Sequence, residues 1–474
     1  MLPVILPTDI VAWGLAALLV PAVRHVRRSP ELTRRWRLVF ARPAASASAA
    51  VLAVFLAIAL ADSVHWREAL PPAPGQVAGT QAHSPEVRSL LDAIILDGLG
   101  AAGDERSYSS PFATTEFDRT TVIRDGRAVR EFRPLENAGR LFPGRSRAFE
   151  LVKGTLIAAI AGGVSAFLGW LFVAGAVARR RRVTIPEALV VMSGRGGDFP
   201  WRPAMLVLTA FWLLGVWLAV LWPNWHVLGT DAVGNDVLYE AVKSIRTAVV
   251  IGSLATLAAL PFAIVLGIAA GYFRGRVDDA IQYLYTTISS IPSVLLIAAS
   301  VLMVQVFLDK HPELYRTSLE RADLRLMLLA VIIGMTGWAT LARLLRAETM
   351  KISTLDFVTA ARALGVSPAT VMRRHVLPNV MHIVLIVTVL DFSGIVLYEA
   401  VLSYVGVGVD PAMHSFGTMI NSARSELSRS PMVWWNLFAS FLFLLALVLS
   451  ANLLASSVRD AFDPRAGGSR GEAK

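Results

Sequence analysis

Apolar residues gather in nine stretches, at 4–23, 47–61, 154–177, 205–222, 247–272, 281–307, 326–345, 381–405 and 433–455. Most approach the ~20 residues that a helix needs to cross the hydrocarbon core of a bilayer. A lone spanning segment must satisfy its own backbone hydrogen bonds, so each stretch predicts a helix. The second is the shortest and the most polar at its ends. Residues 65–149 are too polar to span. They begin with Pro71-Pro72-Ala73-Pro74-Gly75, a linker signal. Residues 84–99 read as a helix, with Ser84 as its cap, Pro85 in its first turn, and Val87, Leu90, Leu91 and Ile94 spacing an apolar face. Residues 120–132 alternate as two strands around Asp125-Gly126, a hairpin signal. The whole stretch reads as a small domain outside the membrane, with no chemistry of its own.

Composition agrees with a lipid-solvated surface. The 474 residues are 55% hydrophobic and 17% charged, against roughly 25% charged for soluble domains. A net charge of +10 suggests nucleic acid in a soluble chain. Here the Arg residues sit beside the apolar runs and set topology, so no nucleic-acid partner is expected. Arg24, Arg27, Arg28, Arg34, Arg35 and Arg37 follow the first run, and Arg179 to Arg182 follow the third. Both loops are expected in the cytoplasm, which puts the N-terminus outside. Counting forward, 223–246, 310–325 and 406–432 lie outside, while 273–280, 346–380 and the C-terminal tail lie inside. No basic region precedes the first run, so no cleavable signal peptide is expected. The absence of Cys excludes disulfides, Cys-ligated metals and thiol catalysis.

Within the runs, ionisable groups are costly and therefore informative. Asp391 and Glu399 lie eight residues apart in the eighth run, two turns apart on a similar face. They either line a path and attract a cationic group, or bond to neighbouring helices. Glu399, near the outer end, favours the second role. Pro261 and Pro292 are expected to kink the fifth and sixth spans, and Gly267, Gly271, Gly334 and Gly337 to allow close helix contact. No phosphate-binding loop, His-Glu-x-x-His zinc motif or Gly-x-Ser-x-Gly elbow occurs. The eight His are scattered, and no metal site is expected. Gly194 to Gly197 is Gly-rich without the dinucleotide pattern, and reads as a loop.

The most informative segment is 356–379. It reads as two short helices with a sharp corner. Residues 356–364 are rich in helix formers, and Gly365 suits the left-handed position that ends a helix. Ser367 suits an N-cap, Pro368 the next first position, and Pro378 marks a break before the following span. Ala360 and Ala361 carry almost no side chain, so another surface can approach closely. The segment resembles the cytoplasmic coupling loop of ABC importer permeases, whose signature is Glu-Ala-Ala, three residues, Gly, nine residues, Ile, any residue, Leu-Pro. Ala360, Ala361, Gly365, Leu377 and Pro378 match in type and spacing. Thr359 stands in place of Glu and His375 in place of Ile, although Arg374 to Asn379 resembles the Arg-His-Ile-Leu-Pro-Asn of the peptide branch.

Four further segments resemble that branch, the dipeptide, oligopeptide and nickel permeases, in the same order. They are Leu228-Gly229-Thr230-Asp231 with Gly234 to Leu238, where Asn235 replaces Arg; Ala270 to Phe273 with Gly275, Val277 and Asp278; Glu399 to Gly408; and Val458 to Arg465. The Gly229, Thr230, Asp231 and Asp236 segment also reads as a turn that caps a helix. The matches cover about 203–465. The resemblance implies an all-α integral membrane protein whose last six spans form a type I permease core. The chain then divides into an extension with two spans (1–64), an extracytoplasmic domain (65–149), a third span with a basic loop (150–202), the core (203–465) and a cytoplasmic tail (466–474).

The resemblance further implies an inner-membrane subunit that works with a second, different permease, two ATP-binding subunits or domains and an extracytoplasmic substrate-binding protein. In this reading Asp356, Thr359, Ala360, Ala361, Gly365, His375, Leu377 and Pro378 form the ATPase-coupling loop. The chain binds no cofactor and breaks no bond; ATP with magnesium is held and hydrolysed by the partner ATPases. The cargo is a di- or oligopeptide, with nickel chelates, sugars or antimicrobial peptides as alternatives. A degenerate permease that senses or scaffolds is a further alternative, motivated by Thr359 and the N-terminal addition.

Overall fold

The computed structural model describes residues 2–70, 83–124, 127–140, 145–192, 201–315 and 317–462. Its strands are β1 (Leu2–Val4), β2 (His65–Ala69), β3 (His83–Ser89), β4 (Thr120–Arg124) and β5 (Arg127–Glu131). The helices are α1 (Pro7–Arg28), α2 (Pro30–Phe40), α3 (Pro43–Asp62), α4 (Leu90–Asp92), α5 (Arg147–Arg181), α6 (Ile185–Met192), α7 (Trp201–Leu221), α8 (Val237–Phe273) and α9 (Gly275–Ser290). They continue with α10 (Ser293–Lys310), α11 (Ser318–Gly337), α12 (Ala339–Ile352), α13 (Asp356–Ala363), α14 (Pro368–Val371), α15 (Leu377–Tyr404), α16 (Phe416–Glu426) and α17 (Trp435–Phe462).

Among the described residues nine helical stretches are long and apolar enough to cross a membrane, as the hydrophobic pattern predicts. The short second run lies in α3, which is long and apolar enough to span. Boundaries differ where proline intervenes. The first run opens as β1, and α1 begins only at Pro7, which occupies a first-turn position. The sixth run is two helices. Ile291 is extended (φ −89°, ψ 131°) because a residue before proline is pushed out of the helical region, and α10 starts beyond Pro292. Pro378, by contrast, does not end a helix. The stretch Pro368–Tyr404 is helical throughout, and a π-turn at Met372–Val376 widens it ahead of the proline. α8 likewise continues through Pro261.

The expected helix at 84–99 starts later than its apolar spacing suggests. Residues 83–89 are β3, paired antiparallel with β2. The helix begins at Leu90, and its cap is Ser89 rather than Ser84. Ser89 Oγ accepts from the Asp92 amide, and the Asp92 carboxylate accepts from the Ser89 amide at 2.8 Å, a reciprocal capping box. The hairpin at 120–132 is present, in register from Thr120↔Glu131 to Arg124↔Arg127. Its Asp125-Gly126 turn lies outside the described residues, as do the 71–75 linker, 194–197 and the tail beyond 462.

The chain divides into two compact units. The first comprises Met1–Ile5, Phe40–Thr247 and His414–Ser450. In it β1, β2 and β3 form one antiparallel sheet, and α7 packs against both α3 and α5. Three indoles tie α5 to α7: Trp170 Nε1 donates to Thr209 at 2.8 Å, Trp212 to Ser165 at 2.9 Å, and Trp217 to Thr155 at 3.3 Å. The second unit comprises Leu6–Val39, Ala248–Met413 and Ala451–Lys474. There α1 is tied to α11, with the Thr8 amide donating to Asp323 at 3.0 Å. Gly267, Gly271 and Gly334 sit against backbone of neighbouring helices, where a Cβ would lie 2.3–2.7 Å from a carbonyl oxygen. Gly337 faces open space instead.

Candidate functional site

The segment 356–379 folds as its sequence dictates. α13 runs to Ala363, and Gly365 turns the chain at φ +78°. The Gly365 amide donates to the Arg362 carbonyl at 3.0 Å and the Val366 amide to the Ala361 carbonyl at 3.1 Å, closing the helix end. Pro368 opens α14. The loop has two faces. Val358, Val371, Val376 and Val380 are fully buried in a cluster with Leu345 and Ile352. Ala361 belongs to that cluster too and is only 7% exposed, so it does not offer itself to a partner as its size suggests. The outer face carries Asp356, Thr359, Ala360, Ala363 and Gly365, with Leu364 84% exposed among them. Leu377 packs against the cluster, while Pro378 is exposed and His375 half-buried. Thr359 turns its hydroxyl back to the Asp356 carbonyl at 2.9 Å.

The floor beneath this loop is built by the 270–278 segment. Arg362 stacks on Tyr272. Arg274, in the left-handed region at φ 55°, donates to the Met350 carbonyl and the Ser353 hydroxyl. Asp278 receives both arms of Arg346, at 2.5 and 2.6 Å, which holds its carboxyl below the ordinary carboxylate range. A Cβ on Gly271 would lie 2.6 Å from the Arg346 carbonyl, so only glycine lets α8 approach α12 this closely.

The 399–408 segment closes α15. Ser403 Oγ donates to Glu399 at 2.7 Å and accepts from the Val409 amide at 3.3 Å. Gly406 takes φ +84°, and the Val407 amide returns to the Leu402 carbonyl. Gly408 lies against the Ser403 backbone, where a Cβ has no room. Glu399 is 1% exposed, whereas Asp391 is exposed on the same helix. The two carboxylates therefore do not share a surface: eight residues leave them about 80° apart around the axis.

The 228–238 segment is a clasp whose Gly229, Thr230, Gly234 and Asp236 are buried, with Ala232 and Val233 exposed at its tip. Gly229 (φ +72°) and Gly234 (φ +95°) bring the backbone against Ser109 and Glu105, where a Cβ would collide with carbonyl oxygens. The Thr230 amide donates to the Ser109 carbonyl and its hydroxyl to the Ser107 carbonyl. Asp231 accepts from the amides of Val233 and Asn235. Asp236 caps α8 by accepting from the Tyr239 amide, and also receives Trp222 Nε1 and His226 Nδ1. His226 Nε2 reaches Glu105 at 3.4 Å, and Glu105 accepts from the amides of Glu136, Asn137 and Ala138. Burial opposes a charge on His226, but the bonds to Asp236 and Glu105 prevail and raise it to about 9. Nearby, Lys243 lies 2.7 Å from Asp92 and 3.1 Å from Asp62. Burial works against charge on Asp92, yet Lys243 and the Ser89 amide hold its carboxyl low. Neither His226 with Glu105 nor Lys243 with its two acids stands out in the sequence. The available signal is Asp62, an acid that ends an apolar run just before the outer stretch.

A profile of the family described as "binding-protein-dependent transport system inner membrane component" matches residues 263–468. Peptide permeases are similar over about half of the chain. The oligopeptide transport system permease protein OppC of Mycobacterium tuberculosis is 30% identical over 239 residues, 50% of this chain and 76% of its own. The di/tripeptide transport system permease protein DppC of Pseudomonas aeruginosa is 32% identical over 250 residues, 51% and 76%. OppC of Haemophilus influenzae is 27% identical over 242 residues, 51% and 71%. The matched region contains α13, its apolar footing and the glycine contacts that seat it, on a chain with nine candidate spans. An all-helical membrane core built in this way, similar over about three quarters of the length of two peptide permeases that are 30% and 32% identical, makes this chain a member of the binding-protein-dependent transport system inner membrane component family.

Proposed function

We propose that the chain is the membrane-spanning permease subunit of an ATP-driven importer of di- or oligopeptides. The observation that carries the reading is α13. Its inner face is sealed to the helical core, and its outer face offers small residues around the exposed Leu364. A helix held firmly on one side and open on the other suits a rigid lever against a separate ATPase. Closure of two ATP-binding subunits or domains, which hold the ATP and magnesium, moves α13, and α13 moves the spans between inward- and outward-open states. The path forms with a second, different permease, and an extracytoplasmic binding protein delivers the cargo. The printed names of the relatives, oligopeptide and di/tripeptide permeases, support a peptide cargo.

In this reading the basic loops after α1 and α5 and the 346–380 segment face the cytoplasm, with the N-terminus outside and the C-terminus inside. The pairing of β1 with β2 supports the count, since the residues before α1 and after α3 share one sheet. Asp391, exposed on α15, is the acid placed to line the path, and Glu399 serves the closing turn. Gly229, Thr230, Asp231 and Asp236 hold the 105–109 segment to the outer start of α8.

The test is an affinity pull-down of tagged protein from gently solubilised membranes, wild type beside Ala360→Arg, with partners identified by mass spectrometry. A co-purifying ATPase that the variant loses supports the lever. The second reading, a sensing or scaffolding permease, is favoured by Thr359, whose hydroxyl serves its own helix where the resemblance has Glu. Recovery of no ATPase with either protein selects it.

A further inference from the structure

The elbow between α5 and α6 forms an open cleft of about 930 Å³ that the transport reading does not use. One wall is Phe172, Gly175 and Ala176 of α5, and the mouth carries Arg179, Arg180 and Arg182. The elbow has defined geometry. α5 ends on Arg182 in the left-handed conformation (φ 56°, ψ 42°), with the Val183 amide returned to the Ala178 carbonyl at 3.1 Å. A non-glycine residue there is uncommon and needs the surrounding bonds to hold it. α6 opens with the Thr184 amide donating to Glu187 at 2.9 Å, and Ala188 and Met192 are buried behind it.

The three guanidiniums are exposed, and none pairs with a carboxylate among the described residues. Phe172, seven residues before the first of them, is 80% exposed. Seven residues are two helical turns, about 10 Å along the axis. The cleft thus joins a cationic mouth at the end of a candidate span to an apolar wall within that span. That profile matches a phospholipid: phosphate oxygens take bidentate bonds from Arg, and an acyl chain covers the exposed aromatic ring. Three cations favour a headgroup with net negative charge, as basic residues beside a membrane favour an anionic lipid surface. A zwitterionic headgroup forfeits that gain.

We propose that the elbow binds one anionic phospholipid, its phosphate on Arg179, Arg180 and Arg182 and an acyl chain along Phe172, Gly175 and Ala176. Native mass spectrometry of the purified full-length protein, titrated with phosphatidylglycerol or phosphatidylcholine, reads the bound lipid directly. The expected result is one tightly retained phosphatidylglycerol, with phosphatidylcholine at least fivefold weaker. Replacing the three Arg with Gln weakens retention at least fivefold, replacing them with Lys costs less, and Arg27→Gln with Arg28→Gln in the last turn of α1 leaves it unchanged. Equal retention of the two lipids, or undiminished retention by the Gln variant, overturns the proposal. Displacement of the lipid by millimolar inorganic phosphate marks a free-anion site and overturns it as well. If the Gln variant does not fold, crosslinking decides: a photoactivatable phosphatidylglycerol must label the α5–α6 peptides, and labelling elsewhere alone refutes the site.

Discussion

Arg362 lies across the ring of Tyr272, its guanidinium carbon 4.3 Å from the ring centroid, and its Nε donates to the Tyr272 hydroxyl at 3.2 Å. One residue of α13 is thereby fastened to the end of α8 by two kinds of bond. Arg362→Ala removes both, at a local cost of about 1–2 kcal/mol. The expected outcome is a transport rate several-fold lower in membrane vesicles, with the ATPase still bound. Tyr272→Phe keeps the ring and loses only the hydroxyl, and should fall between. Equal transport by all three proteins would show that this contact carries no motion.

The two alanines of α13 separate docking from folding. Ala360 is exposed, so Ala360→Arg should insert normally and lose ATPase association. Ala361 is buried against the core, so Ala361→Arg forces a charge into an apolar cluster, a cost of several kcal/mol. Its membrane level should drop before any question of docking arises. Immunoblots of membranes beside the pull-down read both effects.

The turn after α15 is predicted to be structural. Ser403→Ala removes a bond to the buried Glu399 carboxylate and should cost about 1–3 kcal/mol. Gly408→Ala places a methyl group against the Ser403 backbone and should cost at least as much. Thermal melts of purified protein check both. A lower melting temperature with unchanged discrimination between cationic and neutral peptides is the expected pair of results.

Asp391 offers the contrasting case. Asp391→Asn should reduce uptake of cationic peptides several-fold more than uptake of neutral ones, with the melting temperature unchanged. A uniform loss across substrates would return this residue to a structural role.

The His226 clasp predicts a pH dependence. Its folded value, about 9, lies above the ordinary 6.5. Its contribution is therefore complete below pH 6.5 and is lost as the pH climbs through about 9. The gap between the two values is worth ~3 kcal/mol. Hydrogen-exchange protection of the Glu136, Asn137 and Ala138 amides, which rest on Glu105, should fall over that range. His226→Gln should lower protection at pH 6.5 and flatten the pH profile.

Legibility followed the range of the interactions. The spans could be read because lipid demands long apolar runs, and the corner at Gly365 because a left-handed turn selects glycine. Local chemistry misled where a partner outvoted it. Residues 83–89 have helical spacing, but β2 supplies a ladder and they become strand. Ala361 is small enough for a contact surface, yet its helical phase turns it inward with Val358. Glu399 and Asp391 look alike in one dimension, and only the closing turn distinguishes a bonded acid from an open one. The pairing of His226 with Glu105 and of Lys243 with Asp92 stayed hidden because the partners lie far apart in sequence, by 121 and 151 positions.

The three indole bonds between α5 and α7 act as a ruler. On α5 they span Thr155 to Trp170, about 22 Å of helix at 1.5 Å per residue. Sliding one helix past the other by a single turn breaks all of them together, since no donor then meets its hydroxyl. Helices that must ratchet cannot afford such a register lock. Whatever the rest of the chain does during a cycle, this pair should travel as one stiff piece, and its tryptophan fluorescence should stay constant while the core changes state.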